Sequence, residues 1–490
     1  MTYANTRPAP IRFGTDGWRA VIADEFTFQN VERVAQAYSD FLNRHTPDAT
    51  QPRPAAPHPP QDARPHVVVG YDRRFLSGQF AARAAEVLAG NEISVSLFEA
   101  DVPTPLVSWA VRERGASGGV VITASHNPAH FNGFKIKAPW GGSAPPETTR
   151  AVEALVDAHP TRRAPLAADA HGGLRPQFES YRRQVESYVE LGRLRDTAAR
   201  VVVDPMHGTG GHWVENFLSG GRLGVETIRA HPDPYFGSVS PEPIDRNLAP
   251  LKRRVLETGA LVGLATDGDA DRVGAVNELG ETMTMHEVVP LILLHLARVR
   301  GQSGGVVRTF SQSVLLKRIA AAHGLILYET PIGFKYIADL MLREDILVGA
   351  EESGGIGVRG HIPERDGILN SLLFLEAVAA SGKTPTALVK EMHREFGEFY
   401  FGRRDLHTEV ARGLALVASL ATKPPSAVGP HAVESVETMD GTKLVFGDES
   451  WLLFRQSGTE PVLRVYSEAT SVEKMNALLD EGCRLADSFR

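Results

Sequence analysis

VVVGYDRRFLSGQFAARAAEVLAG, residues 67 to 90, opens on a run of β-branched residues and passes into a stretch whose apolar positions recur at helical spacing. A short strand followed by an amphipathic helix is half of a βαβ unit. The signature returns in RVVVDP (200 to 205) before a helical stretch, and in GGVVRTF (304 to 310) before SVLLKRIAAAHG. Three such units at domain-sized spacing predict three related α/β domains. Beyond residue 397 the pattern changes. FYFGRRDLHT, AVESVETMD, GTKLVFG and SWLLFRQSG read as strands separated by turn residues and framed by helices at 407–420 and 471–490, so the last domain is α+β. The expected divisions are 1–172, 173–282, 283–396 and 397–490, with a solvated proline-rich insert at 46–66, where proline blocks both helix and ladder.

A chain of 490 residues with 42% hydrophobic content is several times one cooperative core. Its net charge of −7, with no long Lys/Arg block, excludes nucleic acid and anionic membrane as partners, so any anionic ligand is held by local basic residues. MTYANTRPAPIRFG has no apolar signal-peptide region, and the apolar helix expected near 288–297 is interrupted by His295 and too short to span a bilayer. A cytoplasmic protein is expected. The one cysteine, Cys483, forms no internal disulfide and no cysteine-cluster metal site, and reads as a small residue buried in a helix.

Four segments carry chemistry. GGVVITASHNP ends a strand near Thr123 and leaves Ser125 in the turn beyond it, where α/β sheets place ligand-handling residues. Glycines do not flank Ser125 as in the hydrolase elbow. NGFKIK follows, and its Lys135 and Lys137 are read as facing opposite ways on a strand, with one of them turned into the site. LVGLATDGDADRVG delivers Asp267, Asp269 and Asp271 into one turn. Three carboxylates so close repel one another unless a hard cation sits among them. An EF-hand is excluded by Arg272 at its sixth position and by flanking strands in place of helices. Mg²⁺ on these aspartates leaves room for a phosphate oxygen, and Arg272 can neutralise the same phosphate. LVGAEESGGIG sets Glu351 and Ser353 beside glycines, which suits hydrogen bonding to vicinal sugar hydroxyls. RQSGTEPVLRV offers Arg455, Ser457, Gly458 and Thr459 in a turn and Arg464 on the next strand, the donors a phosphate site needs.

Together FGTDGWRA (13–20), TASHNP (123–128), DPMHG (204–208), DGDADR (267–272), EESGG (351–355) and RQSGTEP (455–461) resemble the α-D-phosphohexomutase superfamily over nearly the whole chain. The resemblance implies an α/β enzyme with mixed sheets and a C-terminal α+β domain, heart-shaped around a cleft that takes one loop from each domain. It implies that Ser125 is the phosphoserine and a ligand, with the three aspartates, to Mg²⁺. It places Arg19, His126 and Lys135 around the reacting phosphate, with Lys135 a candidate for proton handling. Glu351 and Ser353 match the sugar loop, and Arg455, Ser457, Gly458 and Thr459 the phosphate loop. TPIGFK adds Thr330, Gly333 and Lys335 to the substrate contacts, and HIPERDG adds His361 and Arg365, the latter standing where many relatives carry lysine.

The expected activity is interconversion of hexose 1- and 6-phosphates through a hexose 1,6-bisphosphate, with glucose preferred because the EES form of the sugar loop resembles the phosphoglucomutases. Phosphomannomutase or dual specificity is the alternative, glucose 1,6-bisphosphate the activator, hexose phosphates the partners, and a monomer or homodimer the assembly. Two rivals are weaker. An aspartyl-phosphate phosphotransferase of the haloacid dehalogenase type shares the D-x-D strand end but prefers Thr or Val where Asp271 stands, and it leaves TASHNP without a task. A non-catalytic sugar-phosphate regulator is expected to lack the nucleophile or a metal ligand.

Overall fold

The computed structural model describes residues 10–14, 16–44, 64–170, 173–457 and 461–489. All but the last three residues of the proline-rich insert lie outside them. Two compact units emerge. The first is the chain up to Thr282 with Met341–Arg343 and Gly360–Glu376, and the second holds Met283–Leu340, Glu344–Arg359 and the chain from Ala377 onward.

In the first unit, His66–Tyr71 runs parallel to both Ser94–Leu97 and Gly118–Ile122. Phe131–Lys137 is antiparallel to Gly118–Ile122, and Trp18–Val21 is antiparallel to Phe131–Lys137. The valine run is continuous because both faces of this sheet are covered. Val67 and Val69 join Phe26, Phe80, Val120, Ile122 and Phe134 in one core cluster, to which Val68 between them does not belong. Side chains on a strand alternate in this way.

The same plan recurs. Arg200–Asp204 lies parallel to Gly224–Thr227 and Val262–Thr266, and Val273–Val276 is antiparallel to Val262–Thr266. In the second unit, Gly305–Thr309 lies parallel to Ile326–Thr330 and Ile346–Ala350, and Ile356–Val358 is antiparallel to Ile346–Ala350. Each sheet is therefore mixed. Parallel neighbours need a helical crossover, whereas the final antiparallel strand needs only a short turn. Those turns, at 123–130, 267–272 and 351–355, carry Ser125, the aspartates and Glu351, so three motifs distant in sequence occupy the same position in three copies of one architecture.

The C-terminal sheet has six antiparallel strands in the order Tyr400–His407, Val462–Ala469, Trp451–Gln456, Thr442–Phe446, His431–Glu437 and Ala427–Val428. Helices Val410–Thr422 and Val472–Ser488 cover a core that includes Leu416, Phe454, Val465 and Leu478. Cys483 is half-buried on the last helix. The apolar helix expected at 288–297 runs from Met285 to Leu294, where Thr284 and Glu287 form a capping box, and continues as a π turn over His295–Val299. No single described helix is long and apolar enough to cross a membrane.

Phe26 is fully buried and stacks on Trp18 at 4.8 Å while meeting the edge of Phe80 at 4.9 Å. Phe26→Ala should destabilise the first unit by about 3–5 kcal/mol, the usual cost of removing a buried aromatic ring. Urea denaturation followed by tryptophan fluorescence reads this. A shift below about 1 kcal/mol would mean that this cluster does not hold the sheet together.

Candidate active site

Ser125 sits two residues beyond Thr123, in left-handed backbone at φ 53, a conformation that costs a non-glycine residue energy and persists only when its surroundings enforce it. The enforcement comes from Arg74. Its guanidinium donates to the carbonyls of Ser125 and Asn127 (both 2.6 Å), Pro128 (2.8 Å) and Phe131 (3.1 Å), so one side chain gathers the turn. Asp72 holds Arg74 in place at 3.0 Å and accepts from Thr123 Oγ1 at 2.6 Å and Ser77 Oγ at 2.8 Å. Arg19 donates to Asn127 Oδ1 at 2.7 Å.

The aspartate turn meets the serine turn directly. Ser125 Oγ donates to Asp267 Oδ2 at 2.9 Å. A Cβ on Gly268 would fall 2.6 Å from the Ser125 carbonyl, so only glycine permits this approach. Asp267 Oδ1 accepts from the backbone N–H groups of Asp271 (2.9 Å) and Arg272 (3.1 Å). Asp269 Oδ2 accepts from Thr104 Oγ1 at 2.8 Å and from Lys135 Nζ at 2.9 Å. Lys135 Nζ also lies 3.3 Å from Asp271 and 3.1 Å from Asp16. Arg365 reaches Asp271 at 3.1 Å and Asp16 at 2.8 Å.

Opposed charges sort the protons here. Burial, with the charges of Asp271 and Asp269, pushes the Asp267 carboxyl well above the ordinary range. Burial acts on Asp269 in the same direction, but Lys135 and Thr104 outweigh it and hold that carboxyl below its usual value. Lys135 keeps its proton, because Asp16, Asp269 and Asp271 overcome the burial that would remove it. Burial, reinforced by Arg272, Arg19, Lys135 and Arg74, lowers His126 far enough to leave a neutral imidazole, with Nδ1 3.4 Å from Ser125 Oγ.

The residues fit a hard cation. One ligand oxygen from each aspartate lies within 4.8 Å of the others, and all three residues are buried. Asp269 Oδ1 and Asp271 Oδ1 have no hydrogen-bond partner among the described residues. Buried carboxylate oxygens are rarely left so, and oxygen-only donors suit Mg²⁺.

Two expectations change. Lys135 and Lys137 do not face opposite ways: residues two apart on a strand share a face, and both reach one acidic cluster, Lys137 through Glu364 at 2.6 Å. His361 does not offer its ring to a substrate. The ring stacks on Trp109 at 5.6 Å, its Nε2 meets Asp366 at 2.9 Å, and its side chain is 1% exposed. Arg74, Asp16 and Glu364 escaped the sequence reading, although YDRR at the end of the strand His66–Tyr71 was a signal for Arg74.

In the second unit, Arg455 and Arg464 are directly opposite across paired strands. Like charges so placed are destabilising without an anion to share. Asp440, also missed, accepts from Arg455 Nε at 3.0 Å and from the Ile332 N–H at 2.9 Å, tying the 330–335 turn to the arginine strand. Thr330 ends its strand, Gly333 precedes the helix Phe334–Arg343 at φ 138, and Lys335 lies 5.0 Å from the Tyr336 ring. Ser311 Oγ donates to Glu352 at 2.7 Å, and Glu352 acts electrostatically on Arg455 and Arg403, while Glu351 is buried and pairs its backbone with Gly355. Ser457 closes the hairpin through Val462 at 2.9 Å; Gly458 and Thr459 lie outside the described residues.

Four family models for phosphoglucomutase/phosphomannomutase match: α/β/α domain I at 10–163, domain II at 179–280, domain III at 285–396 and the C-terminal domain at 415–484. A phosphoglucomutase/phosphomannomutase of Thermococcus kodakarensis is 32% identical over 482 residues, spanning 97% of this chain and 98% of that protein. A phosphoglucosamine mutase of Novosphingobium aromaticivorans is 30% identical over 481 residues, spanning 96% and 97%. The crystal structure of a candidate phosphomannomutase from Thermus thermophilus superposes with a TM-score of 0.84 at 37% identity, covering 98% of this chain and all of that one.

Because Asp267 holds a proton above the ordinary carboxyl range, cation binding must expel it. Mg²⁺ affinity should rise with pH and level off once the pH exceeds the native Asp267 value. Calorimetric titration in buffers of different ionisation heat should show proton release. Buffer-independent heats together with a flat Kd from about pH 5 to pH 8 would contradict the charge assignment.

Proposed function

The chain belongs to the phosphoglucomutase/phosphomannomutase family and is a phosphohexomutase, and we propose that it exchanges a phosphoryl group between Ser125 and the two ends of a bound hexose phosphate. One observation carries this reading. Ser125 Oγ is buried in a turn held by Arg74 and donates to Asp267, one of three buried aspartates whose ligand oxygens lie within 4.8 Å of one another.

In the forward step, phosphorylated Ser125 faces a sugar hydroxyl. The bond from Ser125 Oγ to phosphorus breaks, a bond from the sugar oxygen to phosphorus forms, the hydroxyl proton passes to a base, and Ser125 Oγ, leaving with the bonding pair, takes up a proton to become a hydroxyl. Neutral His126 is our choice for that base. Lys135, fixed as an ammonium by three carboxylates, serves better as a charge partner for phosphoryl oxygens than as a proton acceptor. Asp267, Asp269 and Asp271, with Ser125 beside them, would hold Mg²⁺, which when bound would supply charge neutralisation to the phosphoryl oxygens. Arg19, Arg272 and Arg365 add fixed positive charge, which costs no reorganisation during transfer. The resulting bisphosphate returns its other phosphoryl group to Ser125.

To the second unit we assign the sugar and the non-reacting phosphate. Glu351 and Ser353 read hydroxyls, Thr330, Gly333 and Lys335 line the approach, and Arg455, Ser457, Gly458, Thr459 and Arg464 bind phosphate. Guanidinium and backbone donors accept a phosphate whichever carbon bears it, as an intermediate that reverses direction requires. Glucose phosphate is the proposed preference and glucose 1,6-bisphosphate the activator. The second reading, glucosamine phosphate, is favoured by the relatives at about 30% identity named for that substrate.

Ser125→Ala should lower kcat at least about 10³-fold, as loss of a covalent nucleophile does. Full activity in that variant would end the proposal. Arg455→Ala should raise KM by about 10- to 100-fold, the scale of one charge-assisted pair, with a smaller loss in kcat. An unchanged KM would remove Arg455 from the phosphate site. In coupled assays, kcat/KM should favour glucose 1-phosphate over glucosamine 1-phosphate; the reverse order would assign the second reading.

A further inference from the structure

Lys137 and Glu364 have no part in the transfer described above, yet both side chains are wholly withdrawn from water, with Nζ 2.6 Å from Oε2. A buried ion pair is weak evidence of stability, because desolvation cancels most of its attraction. Its position is more telling. Glu364 belongs to Gly360–Glu376, which by chain order falls in the third α/β stretch but packs within the first unit.

Several contacts bind that segment. Gln184 Nε2 donates to the Gly360 carbonyl at 2.9 Å, Arg112 to the His361 carbonyl at 2.8 Å, Tyr181 Oη to Asp366 at 2.9 Å, and the Gly367 N–H to the Ala270 carbonyl at 3.0 Å. The last contact joins it to the aspartate turn itself.

From Glu364 a chain of charges leads to the cation ligands. Its Oε1 accepts from the Arg365 backbone N–H at 3.0 Å and lies 3.3 Å from Arg365 Nε. The same guanidinium reaches Asp16 and Asp271 through Nη2. Ser143 Oγ lies 2.8 Å from Glu364 Oε2 and 2.9 Å from Asp16 Oδ1, with one proton to give. Asp16 also holds Lys135 and feels the charge of Lys137. Each group in this network is satisfied by a neighbour that could be drawn elsewhere.

We propose that the Lys137–Glu364 pair is a clasp that divides Arg365 between Asp16 and Asp271, and so sets how firmly Asp271 holds a divalent cation. Both are positioning residues. The inference rests on reading Asp267, Asp269 and Asp271 as a cation site. It makes a prediction of sign. With Lys137 gone, Glu364 is a buried carboxylate left to its contact with Arg365; the guanidinium turns further to it and releases Asp271. With Glu364 neutral, Lys137 is a buried ammonium whose charge acts on Asp16; Asp16 turns to it, and Lys135 and Arg365 lean more heavily on Asp269 and Asp271.

The test is Mn²⁺ binding to the full-length, EDTA-stripped protein, read from the electron paramagnetic resonance signal of free Mn²⁺, with circular dichroism to confirm folding. Lys137→Met should tighten Mn²⁺ binding and Glu364→Gln should weaken it, each on the order of tenfold, the scale of one pKa unit of differential charge interaction. The double variant, which leaves no lone charge, should return to within about twofold of the parent. A general structural role would weaken binding in both single variants and would not be relieved in the double. Shifts of the same sign in the two single variants, or no shift in either, overturn the clasp while leaving the cation site intact. A parent that binds no Mn²⁺ overturns the cation site and the clasp with it. If one single variant does not fold, the sign in the other, set against the double, decides.

Discussion

Three carboxylates held within 4.8 Å of one another and shut off from water are an arrangement a folded chain tolerates only at considerable electrostatic cost. Much of the first unit can be read as the means of tolerating it. Lys135 and Arg365 lend partial compensation, Asp16 keeps those two cations from collapsing onto the aspartates entirely, and burial with the neighbouring charges raises the Asp267 carboxyl well above its ordinary range. What remains is two buried carboxylate oxygens, Asp269 Oδ1 and Asp271 Oδ1, with no hydrogen-bond partner among the described residues. A site poised in this way binds a cation and a phosphoryl group together more readily than either alone, because each neutralises what the other brings.

The repeated sheet plan explains how such a centre is assembled. A turn after the third parallel strand is short, lies at the carboxyl end of the sheet and is free of helix, so it can be pressed against its counterpart from another sheet. Gly268 permits that contact for the serine and aspartate turns, and Arg74 gives the serine turn a rigid backing through four carbonyls. In the second unit the same position carries Glu351 and Ser353, and the antiparallel C-terminal sheet sets Arg455 against Arg464.

Local chemistry was legible in the sequence because each motif is contiguous: D-G-D-A-D and T-A-S-H-N-P announce themselves within six residues. The strands of the C-terminal sheet were legible through alternation and turn residues. Long-range partners were not. Asp16 and Arg365 are 349 residues apart, and nothing near either one in the chain indicates the other. Glu364 and Asp440 look like surface acids until the fold brings Lys137 and Arg455 to them. His361 came onto the list of substrate contacts only through the resemblance of HIPERDG, whereas its aromatic partner Trp109 lies far away in sequence. The orientation of Lys137 was a different kind of error, since the two-residue period of a strand already places it beside Lys135.

The central claim is that Ser125 carries the transferred group, and its most direct measurement is a single turnover. Protein bearing a radiolabelled phosphoryl group is mixed in excess with unlabelled glucose 1-phosphate and Mg²⁺, quenched at short times, and its label traced. The account predicts that label leaves an acid-stable, hydroxylamine-resistant phosphoserine at Ser125 and appears first in glucose 1,6-bisphosphate. Label that instead resides in a hydroxylamine-labile phosphate on Asp267, or that passes to water without entering the bisphosphate, would contradict it.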